Sequence, residues 1–140
     1  MASRLPPKLL AFYRETDYAV KGPKGRFVLR VGTASKELAA LLKSSRHACA
    51  AFITASNPLG EPTSAGLNAK ALAALKADLE AADCPVLPGF GEGRQGWAGE
   101  ESLLVLGLER EAAKRLARKY GQNALLWAAR DAVPELILLR

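Results

Sequence analysis

At 140 residues, with 49% hydrophobic and 24% charged side chains, the chain has the size and balance of one ordinary globular domain, which excludes a disordered polymer and a fold that needs disulfides or metals. No stretch reaches the roughly 20 apolar residues that cross a bilayer, and the opening Met1-Ala2-Ser3-Arg4-Leu5-Pro6-Pro7 breaks off before a signal-peptide core forms, so a cytoplasmic protein without a membrane partner is expected. The net charge of +6 favours acidic partners, but basic residues are spread from Arg4 to Arg140 rather than gathered on a stripe with stacking aromatics, as in a dedicated nucleic-acid binder.

Lys8 to Arg14 is a short helical candidate after Pro6-Pro7. It leads into the β-prone runs Tyr18 to Val20 and Arg26 to Val31, which Gly22-Pro23-Lys24-Gly25 joins as a hairpin. Ser35 can cap a helix to about Lys43 that buries Leu38, Leu41 and Leu42 on one face. Ala48 to Ala55 is nearly all apolar and too short for a good helix, so it reads as a central strand covered on both sides, ending at the turn Ser56 to Gly60. Thr63 or Ser64 opens a helix to about Ala82, with Leu67, Leu72, Leu75 and Leu79 as its buried stripe.

Cys84 to Pro88 is a short strand. Gly89 to Gly99 holds five glycines and Trp97, and reads as a shaped loop rather than regular structure. Ser102 to Leu106 is the next strand. Glu109 and Glu111 then open a helix whose end carries Lys114, Arg115, Arg118 and Lys119, with both signs complementing the helix dipole, and Gly121 stops it. Asn123 to Ala128 and Glu135 to Leu139, separated by Asp131 and Pro134, close the chain as a hairpin. The fold class is α/β (α+β): a single mixed β-sheet packed with helices, its edge hairpins antiparallel. Residues 1–140 form one domain, with 1–17 as an N-terminal helical extension on a core of 18–140.

No metal site and no cofactor are expected. The two cysteines, Cys49 and Cys84, form no CxxC pair, a single histidine, His47, accompanies them, and both thiols are expected to be buried and free. Gly91 to Gly96 spells GxGxxG, but a strand follows instead of the helix whose N-terminus would face a pyrophosphate, so a dinucleotide is not expected there. The polar residues at strand ends are more informative. Thr54 and Asn57 follow a buried strand, where α/β sheets open ligand crevices, although Asn57 can equally bond its own turn backbone. Asn68 shares a helical face with Leu72 and Leu75 and points inward, either stapling the Asn57 loop or lining a pocket beneath it. Of Glu100 and Glu101, adjacent on a strand, only one can face a site. If it is Glu100, screening by Trp97 and the glycine-rich loop raises its pKa toward that of a general acid or base; the alternative is a solvated pair. Gln122 and Asn123 either satisfy the last carbonyls of the preceding helix or read an amide or base edge. Arg110, Lys114 and Arg118 recur as a basic ridge.

Phe52-Ile53-Thr54-Ala55-Ser56-Asn57-Pro58, Asn68, Pro88 with the glycine-rich loop, Trp97, Glu100, Ser102 to Leu108 and Tyr120-Gly121-Gln122-Asn123-Ala124 together resemble the bacterial "domain of unknown function 3293" family, from about Tyr18 to the C-terminus. The resemblance implies a small stand-alone cytosolic protein and singles out Asn57, Asn68, Trp97, Glu100, Ser102, Gln122 and Asn123 without assigning roles. The family pattern often has a larger residue where this chain has Ser56, which implies a wider or altered pocket.

Two functions of different class follow. One is a small-molecule site, for a nucleotide or an amide-bearing metabolite, formed where the Asn57 turn, Asn68 and the Gly89 to Gly99 loop meet. Its candidate residues are Thr54, Asn57, Asn68, Arg94, Trp97, Ser102, Gln122 and Asn123, with Glu100 as the candidate catalytic group. The other is a nucleic-acid or ribonucleoprotein accessory that binds through its basic surface. A protein-interaction module is a third class, and the oligomeric state is open.

Overall fold

Turn and cap chemistry sets where each element begins. Pro6-Pro7 opens α1 (Pro7–Glu15), and Lys21 to Arg26 closes the hairpin of β1 (Asp17–Gly22) and β2 (Gly25–Leu29). The Ser35 hydroxyl accepts the Leu38 N–H at 3.1 Å and starts α2 (Lys36–Ser45). After β3 (Ala50–Thr54), Ser64 caps α3 (Ala65–Ala81) in the same way, at 3.2 Å from the Leu67 N–H. Then come β4 (Val86–Glu92), β5 (Glu100–Leu106), α4 (Arg110–Lys119), β6 (Ala124–Ala128) and β7 (Glu135–Leu138). The computed structural model describes residues 5–92 and 99–140.

The seven strands form one sheet in the order β2-β1-β4-β5-β3-β6-β7, and the fold is α+β. Every described pairing is antiparallel, so the mixed sheet suggested by strand-helix alternation does not form. The crossover helices do join parallel strands, but not neighbours: α3 carries the chain from β3 over β5 to β4, and α4 carries it from β5 over β3 to β6. Each gap is filled by a strand running the other way.

Alternation along β3 and β5 divides the core between the two faces of the sheet. Ala50, Phe52, Leu104 and Leu106 pack with Tyr18, Val20, Leu29 and the α2 residues Leu38 and Leu42. Ala51, Ile53, Leu103 and Val105 pack with Leu75 and Leu79 of α3 and Ala113 and Ala117 of α4. The expected stripe on α3 is thus shorter than four leucines. Leu67 is 60% exposed, and Leu72, Leu75 and Leu79 are the α3 leucines that pack against the sheet.

Strand β4 runs on past Pro88 through Gly89, Phe90, Gly91 and Glu92, which the sequence places in a loop. Gly89 explains how. It lies against the Phe52 ring, where a Cβ would fall 2.7 Å from a ring carbon and 3.2 Å from the Ala19 carbonyl, so the bare backbone is what lets β4 pass this aromatic side chain. The pairing ends in polar groups at one side of the sheet, Thr54 opposite Ser102 and Gly91 opposite Glu100. No helix among the described residues is long and apolar enough to cross a membrane. Cys49 is buried and Cys84 only partly so, because Cys84 precedes β4 at the rim of the α3 face.

Candidate functional site

The polar end of β3 and β5 opens into a cleft walled by α1, the Asn57 turn and the start of β6. Its inner chamber, about 70 Å³, is lined by Thr54, Asn57, Glu100, Ser102, Gln122 and Asn123, with the rings of Tyr13, Tyr18 and Phe52. An outer cleft of about 550 Å³ shares Tyr13, Tyr18, Asn57 and Glu100 with it and adds Asn68 and Thr63. Seven of the nine sequence-predicted site residues therefore meet in one place. The other two, Arg94 and Trp97, lie outside the described residues.

A network of amides holds the Asn57 turn. Asn57 has a left-handed backbone, φ 47°, a conformation that Asn tolerates better than most residues. Its N–H donates to Asn68 Oδ1 at 2.9 Å. Its own Oδ1 accepts both Asn68 Nδ2, at 2.9 Å, and the Thr63 N–H, at 3.0 Å. Asn68 is therefore a staple of that loop, and the Asn57 side chain bonds six residues ahead while its carbonyl closes the local turn by accepting the Gly60 N–H at 2.9 Å.

Gln122 ties the same turn to the end of α4 by donating through Nε2 to the carbonyls of Ser56, at 3.1 Å, and Tyr120, at 3.2 Å. Gly121, at φ +68°, both stops α4 and lets the chain close on Pro58; its carbonyl accepts the Leu59 N–H at 2.7 Å. The Thr54 hydroxyl donates to the Glu101 carbonyl at 2.7 Å and accepts the Ser56 N–H at 3.1 Å. Ser102 Oγ donates to the Glu100 carbonyl at 3.1 Å. These groups shape and fix the cleft.

Glu100 differs from them. The strand alternation sends Glu101 to the opposite face, where it is exposed beside Lys76 and Phe90, and turns Glu100 into the cleft. There its carboxylate accepts one hydrogen bond from a described residue, Asn57 Nδ2 at 2.9 Å. Burial raises its pKa above the ordinary carboxylate value, and the Asn57 hydrogen bond partly opposes that rise. Among the described residues that line the cleft there is no other carboxylate and no Lys, Arg or His.

Two aromatic residues of the wall were not among the expected site residues. The Tyr18 hydroxyl donates to the Tyr13 carbonyl at 2.7 Å, and the Tyr18 ring meets Phe52 edge-on at 5.3 Å. Burial raises both phenol pKa values, with a smaller contribution from the Glu100 charge. In Tyr13 a hydrogen bond from Asn123 partly offsets the rise. Leu9, Phe12 and Tyr13 recur at i, i+3 and i+4 on α1, a spacing that marks one packed helical face and could have drawn the helix into the site. On the far side, Asn123 Oδ1 accepts Arg140 Nη1 at 3.3 Å.

The expected basic ridge is largely occupied. Arg110 makes a two-pronged pair with Glu135, at 2.8 and 3.1 Å, and Lys114 lies 3.6 Å from Glu111. Among the described residues no group of three or more His, Cys, Asp or Glu side chains is placed to hold a metal ion.

This architecture, an antiparallel sheet with a cleft at the polar end of its central strands, defines an α+β protein with one carboxyl group among the described residues that line its cleft. The family whose model matches, "Protein of unknown function (DUF3293)", covers residues 53–125. The match spans just over half of the chain, and the chain belongs to this family. The span is narrower than the resemblance from Tyr18 onward implies, and it leaves α1, β1, β2, α2 and β7 outside. Thr54, Asn57, Asn68, Glu100, Ser102, Gln122 and Asn123 all fall within it. No curated protein and no solved structure matches the chain.

Proposed function

We propose that the cleft binds a small polar molecule and that Glu100 is the group that meets it, able to act as general acid or base where the bound molecule reacts. The observation that supports this most is the isolation of Glu100. Its carboxyl group faces a cleft, takes one amide donor from the described residues and leaves the rest of its acceptor capacity directed at the space beside Tyr13 and Tyr18. The surrounding amides are committed to holding the Asn57 turn, so they give the preorganised frame that a binding site needs.

The nucleic-acid reading has less to stand on, because Arg110 and Lys114 of the α4 ridge are already paired with Glu135 and Glu111. An amide-proton NMR titration with acetamide, methylammonium and inorganic phosphate as separate probes tests the proposal. Shifts concentrated at Glu100 and at the side-chain amides of Asn57, Asn68 and Gln122 are expected with at least one probe. Shifts confined to α4, or none at these groups, would overturn it.

A further inference from the structure

The chemistry of the cleft narrows what it can hold. The inner chamber has room for roughly five waters, or one small polar head group. Its described lining carries one potential negative charge, on Glu100, and no Lys, Arg or His, so a phosphate or carboxylate placed there would meet repulsion with no compensating cation among those described residues. Tyr13, Tyr18 and Phe52 border the same space, and aromatic faces are electron-rich and attract cations within about 6 Å. The carboxylate has filled one of the roughly four acceptor positions it owns. Carboxylate and rings together form an environment that stabilises a positively charged N–H donor.

Resting on the reading of the cleft as a binding site, we infer that it takes a cationic nitrogen head group, an ammonium, amidinium or guanidinium on a small apolar or aromatic body, with Glu100 as the counter-ion. The head group sits in the inner chamber against Glu100, and the body lies in the outer cleft along Phe12 and Tyr13 of α1. Binding then depends on the charge of Glu100. Among the described residues, the titratable groups that face it are Tyr13 from α1 and Tyr18 from β1, both with raised pKa values and so neutral in the acidic range. Glu101 and the Arg26–Glu92 pair belong to the far face. Where Glu100 is protonated, the incoming cation must displace that proton, so affinity climbs as pH rises through the Glu100 titration.

Benzylammonium, benzamide and benzoate keep the aromatic body and vary the head group, and their binding to the full chain and to Glu100→Gln, followed by calorimetry and amide-proton NMR, tests the inference. The expected result is that benzylammonium binds about tenfold more tightly than benzamide, as one charge-assisted hydrogen bond would give, with benzoate weakest. That preference should disappear in Glu100→Gln. In the unaltered chain, benzylammonium affinity should rise with pH across the Glu100 titration, a readout that stands even if the variant folds poorly. Benzoate or benzamide binding in the cleft as tightly as benzylammonium, or a benzylammonium affinity that does not change with pH, would overturn the cation inference while leaving a binding cleft. Absence of any shift at Glu100, Asn57 and Asn68 with all three probes would overturn both.

Discussion

The two ends of the β3–β5 pair are built from the same alternating strands and have opposite character. At the Ala50–Leu106 end both faces are filled, by Leu38 and Leu42 of α2 on one side and by Ala113 and Ala117 of α4 on the other. At the Thr54–Ser102 end the apolar residues give way to hydroxyls, amides and a carboxyl group, and the helices stop short of sealing them. The closed end gains its stability from the removal of apolar surface from water. The open end spends side-chain hydrogen bonds on holding a loop in place around an incompletely solvated acid. Stability and function are thus separated along one pair of strands, and each substitution below should register at its own end.

The largest effect is expected at the closed end. Leu104 is fully buried, and Leu104→Ala should cost about 2 to 5 kcal/mol in a urea or guanidinium unfolding titration, without changing ligand preference at the remaining folded population. A weaker effect comes from Gly89→Ala, at the boundary between the ends. The new methyl group would press on the Phe52 ring and the Ala19 carbonyl, and an overpacked site of this kind costs on the order of 1 to 3 kcal/mol by the same measurement.

At the open end, Asn68→Ala strips the acceptor from the Asn57 N–H and a donor from Asn57 Oδ1. A loss of about 1 to 3 kcal/mol is expected if those groups stay buried, and less if water reaches them. Hydrogen exchange distinguishes the two regions: the amides of Asn57 and Thr63 should exchange faster, while those of Phe52 and Leu104 keep their protection. Equal acceleration at both places would mean that Asn68 supports the whole fold and not the turn.

Glu100 gives a smaller effect with a definite sign. Burial raises its pKa in the folded chain above the ordinary 4.5, so between those two values the folded state holds more protons than the unfolded state. Its contribution is therefore fully present below the unfolded pKa and is lost as pH rises through the folded pKa. Glu100→Gln should remove that decline, so that the difference in unfolding free energy between variant and parent grows in favour of the variant as pH rises across this window. The smallest effect belongs to Leu67→Lys, exposed on the first turn of α3, which should stay within about 0.5 kcal/mol of the parent.

Much of this organisation was legible in the sequence. Caps at Ser35 and Ser64, the stop at Gly121 and the turns around Gly25 and Pro134 punctuate the chain clearly, because each supplies a local backbone or hydrogen-bond requirement that does not depend on distant packing. The strand order was not legible, because nothing local in α3 or α4 records which strand fills the gap that each crosses. Gly89 and Gly91 read as loop for a related reason: glycine signals backbone freedom, whereas at Gly89 it admits the Phe52 ring, a contact between residues far apart in sequence. Leu67 carries the right spacing for burial but stays exposed on the first turn of α3.

The candidate site divides in the same manner. Asn57, Asn68 and Glu100 stand out because polar residues at the ends of apolar runs, or on an apolar helical face, need partners. Their division into staples and one ionisable group required coordinates, since an amide in sequence does not reveal whether a main-chain group already occupies it. Tyr13 was missed because α1 read as an extension outside the core, and Tyr18 because an aromatic residue in a strand reads first as packing.

Glu100 is a half-buried carboxyl group lining the cleft and steadied by the Asn57 amide. Site-resolved carbon-13 NMR of the Glu100 side-chain carboxyl, in the parent chain and in Asn57→Ala, measures this directly. The parent should titrate above the ordinary carboxylate value, and the loss of the Asn57 donor should push the titration higher still. A Glu100 that titrates like a solvated glutamate, unmoved by Asn57→Ala, would contradict the account.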